Sequence, residues 1–221
     1  AATTGKVTAT IVDTAANLLG ALGDTNTSDI LALTVTDGVA SNIVALLEKT
    51  GGKIKVDATA VTGTIEDLTS IYVTNKAKFE GLGNEAVTIS GDGVSAAQLN
   101  AIAAATTGKV TATLSSDTPL NAATVTALKD VKTSDNITFA PASGTLAGKD
   151  SMNALLDIKK IIPNANFVAV KNITGVDAKD AAIVKNVLKL IDPASDVTFA
   201  TGELSAKDAN DISKNGGVLT A

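Results

Sequence analysis

The chain contains no cysteine, no histidine and no tryptophan, and all of its basic residues are lysine. Each absence closes a class of chemistry. Without histidine or cysteine there is no Ser–His or Cys–His nucleophile, no zinc site of the usual ligands and no disulfide. Without arginine there is no bidentate phosphate clamp, and a net charge of −5 leaves no basic footprint for nucleic acid. Aromatic residues make up only 2% of the chain (Tyr72, Phe79, Phe139, Phe167 and Phe199), so platforms for stacking bases are scarce. No apolar run approaches a membrane span and no signal-peptide pattern is read at the start, so no membrane insertion is expected.

The residues that are present point to a folded protein. In 221 residues, 45% are hydrophobic, which excludes a disordered chain and allows a core. Ala, Val, Leu and Ile must build that core. Burial is then expected to be spread over many modest contacts, at about 25 cal/mol per Å², with no aromatic anchors.

The strongest feature is repetition. The phrase AATTGKVTAT opens the chain at Ala1 and returns unchanged at Ala104–Thr113. Sliding the chain on itself by about a hundred residues keeps finding partners. Thr27–Ile30 (TSDI) matches Thr133–Ile137 (TSDNI), and Ile43–Lys49 matches Met152–Lys160. Val61–Thr64 (VTGT) matches Ile173–Val176 (ITGV). Val87–Ile102 (VTISGDGVSAAQLNAI) matches Val197–Ile212 (VTFATGELSAKDANDI), and Thr107–Ala112 matches Gly216–Ala221. Two long repeats follow, 1–106 and 107–221. Each holds four strand–helix units, and the second adds the first strand of a third repeat. The chain therefore reads as a cut from a longer array.

Within each repeat, short β-branched runs alternate with stretches of helical spacing. The runs begin at Lys6, Ile30, Lys53, Ala86, Lys109, Asn136, Asn166 and Asp196, and VLTA closes the chain. Asp13-Thr14, Ser95 and Asp177 stand where helix N-caps belong. Glycines punctuate the exits, with Gly108 expected to stop the helix before it. Alternation with helices predicts parallel strands joined by right-handed crossovers. The strands alternate aliphatic residues with Thr and Lys, so one face is buried and the other open. A sheet covered on both faces would be apolar on both. The expected fold is a repetitive right-handed α/β solenoid, an LRR-like stack with a parallel sheet on one side and helices on the other.

Motifs that carry chemistry are few. Gly91, Gly93 and Ala96 lie between a strand and a helix in the order of a dinucleotide-binding turn. A plain glycine turn in a repeat explains them better, since the equivalent stretch keeps only Gly202. Turn carboxylates at Asp13, Asp37, Asp92 and Asp117 raise the question of calcium. They lack EF-hand spacing and the calcium nonapeptide, and capping is the simpler role. No catalytic residue and no cofactor site is assigned. The open face is more specific. Thr8, Thr10, Thr34, Thr36, Thr111 and Thr113 recur as T-x-T, with Lys55 among them. Parallel strands about 4.8 Å apart would stack these Thr pairs into rows, as an ice-ordering surface needs, although Thr also suits any exposed strand.

The phrases DTAANLLGALGD (Asp13–Asp24) and SAAQLNAIAAATTGKVTAT (Ser95–Thr113) resemble repeats in very large secreted bacterial surface proteins, both S-layer-like and RTX-type adhesin or haemolysin-like. That resemblance implies an extracellular or cell-surface setting and no active site. The expectation is a structural, non-catalytic repeat segment of a lattice or adhesin stalk, partnered by neighbouring repeats or copies of itself end to end. The alternative is an extracellular binding module that uses the Thr/Lys sheet face for a glycan or protein ligand.

Overall fold

Thr14 shows how the local sequence sets an element boundary. Its hydroxyl accepts the Asn17 N–H, and a short Ala-rich helix follows the strand at once. The computed structural model describes residues 7–220; the opening residues Ala1–Lys6 and Ala221 lie outside that range. Contacts divide the chain into two compact units, Ala1–Gly91 with Ala101–Thr111, and Asp92–Asn100 with Ala112–Ala221.

The first unit contains β1 (Thr8–Asp13), α1 (Ala15–Ala21), β2 (Ile30–Val35), α2 (Ala40–Ala45), β3 (Ile54–Val56), β4 (Ala60–Gly63) and α3 (Ile65–Thr69). A π-helix at Ser70–Thr74 continues α3, and β5 (Phe79–Glu80) and β6 (Ala86–Ile89) follow. The helix α4 (Ala96–Ala105) and strand β7 (Val110–Leu114) each contribute residues to both units. The second unit adds α5 (Ala122–Ala127), β8 (Asn136–Phe139), β9 (Thr145–Ala147) and α6 (Gly148–Ile161). It ends with β10 (Asn172–Asp177), α7 (Ala181–Leu188), β11 (Asp196–Thr201), α8 (Ala206–Ser213) and β12 (Leu219–Thr220).

The protein is mixed α/β, with several parallel sheets and many short helices. In the first unit the strand orders are β1-β2-β3-β5 and β4-β6-β7; in the second, β7 neighbours β8, and β9 to β12 lie in sequence. The strand pairs are parallel, because each strand is followed by a return segment instead of a hairpin turn. Burial alternates along the strands. Leu31, Leu33 and Val35 of β2 are buried, as are Ile54 and Val56 of β3, whereas Lys55 and Ala32 are exposed.

Several expectations are corrected. The run at Asn166 is shorter than the expected strand: Asn166 bridges Thr138 and Phe167 bridges Ile191, both in parallel, and the chain then turns. The Asn166 side chain accepts the Val168 N–H, and Val170 N–H closes a turn onto the Phe167 carbonyl at 2.9 Å. The VTGT and ITGV phrases, matched as repeats but not among the expected strand runs, lie in β4 and β10. Asp177 does stand at the N-cap position of a 3-10 turn, Ala178–Asp180, that leads into α7, but its carboxylate makes no capping bond and takes the Thr201 hydroxyl and Lys179 instead. All five aromatics are buried, and Phe139 and Phe167 stack with ring centroids 4.8 Å apart, so the core does hold an aromatic anchor.

Gly108 is also not a helix stop of the left-handed kind. A Cβ there would lie 2.0 Å from the Glu85 carbonyl oxygen. The residue is glycine because two backbones meet. Beside it, the buried Thr106 hydroxyl donates to the Glu85 carbonyl and accepts the Gly108 N–H. Gly217 repeats this approach against the Ser195 carbonyl at 2.0 Å.

Candidate functional site

Strand register decides which open-face residues meet. In the first unit Val12 lies opposite Thr34, Thr34 opposite Lys55, and Lys55 opposite Glu80. These four form one row across β1, β2, β3 and β5. Lys53, on the same face two residues before Lys55, closes a 2.8 Å ion pair with Glu80 Oε1. Both partners are well exposed, so the pair orients the side chains more than it stabilises the fold. Ile30, Ala32, Thr34, Lys53, Lys55 and Glu80 line a shallow groove of about 240 Å³ on this face. An apolar floor with two ammonium groups and one carboxylate suits a polar ligand laid flat on the sheet.

The T-x-T pairs do not stack as rows. Thr8 lies opposite Ile30, and Thr10 opposite Ala32, because the β1–β2 register sets Thr34 beside Val12. Thr36 follows β2 and donates its N–H to the Asp13 carbonyl. Thr111 and Thr113 stand on β7, away from the β1-to-β5 sheet order. The structure does form one threonine ladder, Thr62–Thr88–Thr111 across β4, β6 and β7. Of the seven expected face residues, only Thr34 and Lys55 line the groove. Lys53 and Glu80 join them, and the Lys-x-Lys spacing was the available signal for Lys53.

The turn carboxylates are occupied locally or stand apart. Asp13 Oδ1 accepts the Thr14 N–H and the Asn17 amide, and these bonds, Asn17 first, hold its carboxyl below the usual range. Asp37 Oδ1 accepts the Ala15 N–H at 2.8 Å. Asp92 and Asp117 are exposed. Among the described residues, no three acidic side chains are grouped to hold a metal.

The glycine turn before α4 has a packing explanation. A Cβ at Gly93 would meet the Ser115 Cα at 2.8 Å, and Ser95 and Gln98 form a reciprocal capping box at the helix start.

Sequence reading missed a buried acid. Glu85 Oε2 accepts the N–H groups of Gly83 at 2.7 Å and Asn84 at 3.0 Å, while Oε1 accepts the Tyr72 hydroxyl. Burial, reinforced by this bond and the Glu85 charge, pushes the Tyr72 phenol far above its ordinary range. The cluster has its donors and acceptors matched, and its chemistry is that of a structural anchor.

No family model matches the chain, and no curated protein matches it. Among the described residues, no helix is long and apolar enough to cross a membrane.

Proposed function

We propose that the chain is a structural, non-catalytic repeat segment of a large exported bacterial cell-surface protein, its units continuing as a right-handed α/β solenoid. One observation carries this reading: the same strand junction is built twice from equivalent residues. Val87 lies opposite Val110 on β6 and β7, and Val197 lies opposite Leu219 on β11 and β12. In both places a glycine, Gly108 or Gly217, presses on the carbonyl of the residue two before the strand valine. A chain that repeats its junctions can be lengthened without new design, as a stalk or lattice requires. Antiserum raised against the chain is expected to label intact cells of the source organism, with the label lost on protease shaving. Label seen only after lysis would sink the reading.

The groove beside Lys53 and Lys55 favours a second reading, a binding module for a glycan or protein ligand. A glycan array is expected to show binding that Lys55→Ala abolishes, if this face is the working surface. Identical profiles for the two proteins would count against it.

A further inference from the structure

A pocket of about 600 Å³ lies between α7 and α8, a volume in the range of small-molecule sites. Lys185 and Asn186 of α7, Lys189 after it, Asp211 of α8, and Lys214 and Asn215 after it line its wall. All belong to the second unit. The fold does not call for these groups. In the first long repeat the counterparts of Asp211 and Lys214 on α4 are Ala101 and Ala104. Two residues before the close-approach glycine the first repeat has Thr106, whose hydroxyl is matched by the Glu85 carbonyl and the Gly108 N–H. The second repeat has Asn215 at that place, and its Nδ2 atom is buried with no acceptor among the described residues. A buried amide donor left unmatched destabilises the fold, and a ligand that supplies an acceptor relieves it.

The charges around the pocket do not cancel. Lys185 Nζ lies 2.6 Å from Asp208 and 4.0 Å from Asp211. Asp211 also pairs with Lys207 at 2.6 Å, and this ammonium group holds its carboxyl below the usual carboxylate range. Both acids are thereby matched by Lys185 and Lys207. Two ammonium groups are left over. Lys214 Nζ stands 3.7 Å from Asp211 Oδ1. Lys189 has no acidic partner among the described residues, and meets only Asn186 Oδ1, at 3.4 Å, on its own helix. Four lysines therefore face two aspartates, a local positive surplus in a chain whose net charge is −5.

That surplus selects a negatively charged ligand. The helices narrow the choice. Both α7 and α8 end at this pocket, with Lys189 and Lys214 at their C-cap positions. Helix C-termini carry partial negative charge and backbone carbonyls that can accept further donors. They oppose a bare anion such as phosphate but accept hydroxyl groups. The Asp211 carboxylate and the Asn186 amide oxygen accept hydroxyls likewise. No aromatic side chain lines the wall, so a flat base has nothing to stack on. We infer that the pocket binds a carboxylate-bearing sugar, with the carboxylate between Lys189 and Lys214 and a ligand oxygen accepting from Asn215 Nδ2. Its hydroxyls donate to Asp211 and to the helix ends. This goes beyond both readings above, and the pocket shares no residue with the Lys53–Lys55 groove of the first unit.

The test is a titration of the full isotope-labelled chain with D-glucuronate at constant ionic strength, read by nuclear magnetic resonance. The side-chain amide signals of Asn215 are expected to move saturably, together with the backbone signals of Lys189 and Lys214. Glucose lacks the carboxylate and inorganic phosphate lacks the ring hydroxyls, so each should move these signals far less at the same concentration. Asn215→Thr, which installs the first repeat's residue, and Lys189→Gln should each weaken binding about tenfold. The remaining signals of both variants should keep their native positions, which separates lost binding from lost folding. Lys55→Ala should bind as the parent chain does. An Asn215 amide that stays still under glucuronate overturns the inference, and so does an equal response to glucose or to phosphate. Binding that survives both pocket variants but is lost in Lys55→Ala assigns the sugar to the sheet groove and overturns it as well.

Discussion

Two glycines have opposite duties in this chain. Gly20 lies in α1 with nothing within 4 Å of its missing Cβ, so it costs the helix backbone entropy and gains no packing. Gly20→Ala should stabilise by about 0.5–1 kcal/mol in chemical denaturation. Gly108→Ala should destabilise by about 1–3 kcal/mol or more, because its Cβ would drive into the Glu85 backbone instead of a movable side chain. Equal effects at the two sites would contradict the close approach. Tyr72 gives a second test, since it is the chain's single tyrosine. Its phenol holds its proton more tightly folded than unfolded, where the reference value is 10.0. The sign follows from linkage: its contribution is complete below pH about 10 and is lost as pH rises further. Ultraviolet absorbance should show tyrosinate appearing together with unfolding, not before it. Tyr72→Phe should flatten the alkaline loss, yet cost about 1–3 kcal/mol at neutral pH by leaving a Glu85 oxygen without its donor.

Strands with clean alternation were legible from sequence, because Leu31, Leu33 and Val35 or Ile54 and Val56 announce a single buried face. The parallel pairing followed from the intervening helices. Other elements were hidden for physical reasons. Glycine in β4 and β10 imitates a turn, yet Gly63 serves a close helix approach, with Ala40 Cβ 2.4 Å from its absent Cβ. Gly175, at φ 65°, sits where the β10–β11 register shifts. β5, two residues long, has no period to read. Conversely, the apolar run at Asn166 promised a full strand, and a side-chain bond to the Val168 N–H cut it to two bridging residues, Asn166 and Phe167. The candidate groove was half legible. Thr34 and Lys55 stand in an alternating pattern, but register is a tertiary property, and only register brings Glu80 and Lys53 to them. The same limit hid the threonine ladder, whose members Thr62 and Thr88 sit in ordinary VT dipeptides.

The two compact units do not coincide with the two long repeats, and that difference has a consequence for folding. The second unit begins within the glycine turn at Asp92, ahead of α4, and not at the repeated phrase. It therefore takes the start of α4 together with Val94, which bridges Leu114 at the far end of β7. Its own core is substantial: Met152, Leu155 and Ile158 of α6, Val184 and Val187 of α7, Ile173, Val197 and Phe199 of the sheet, and the Phe139–Phe167 stack. A core of this kind is enough for an independent domain. The fragment 92–221 should fold alone, with mixed helix and strand dichroism and one sigmoidal thermal transition. A fragment begun at the repeated phrase, 104–221, lacks Val94 and Leu99 of the second unit, both buried in the intact chain, and should melt at a lower temperature. The reverse order would mean that the sequence repeat, not the contact boundary, is the folding unit.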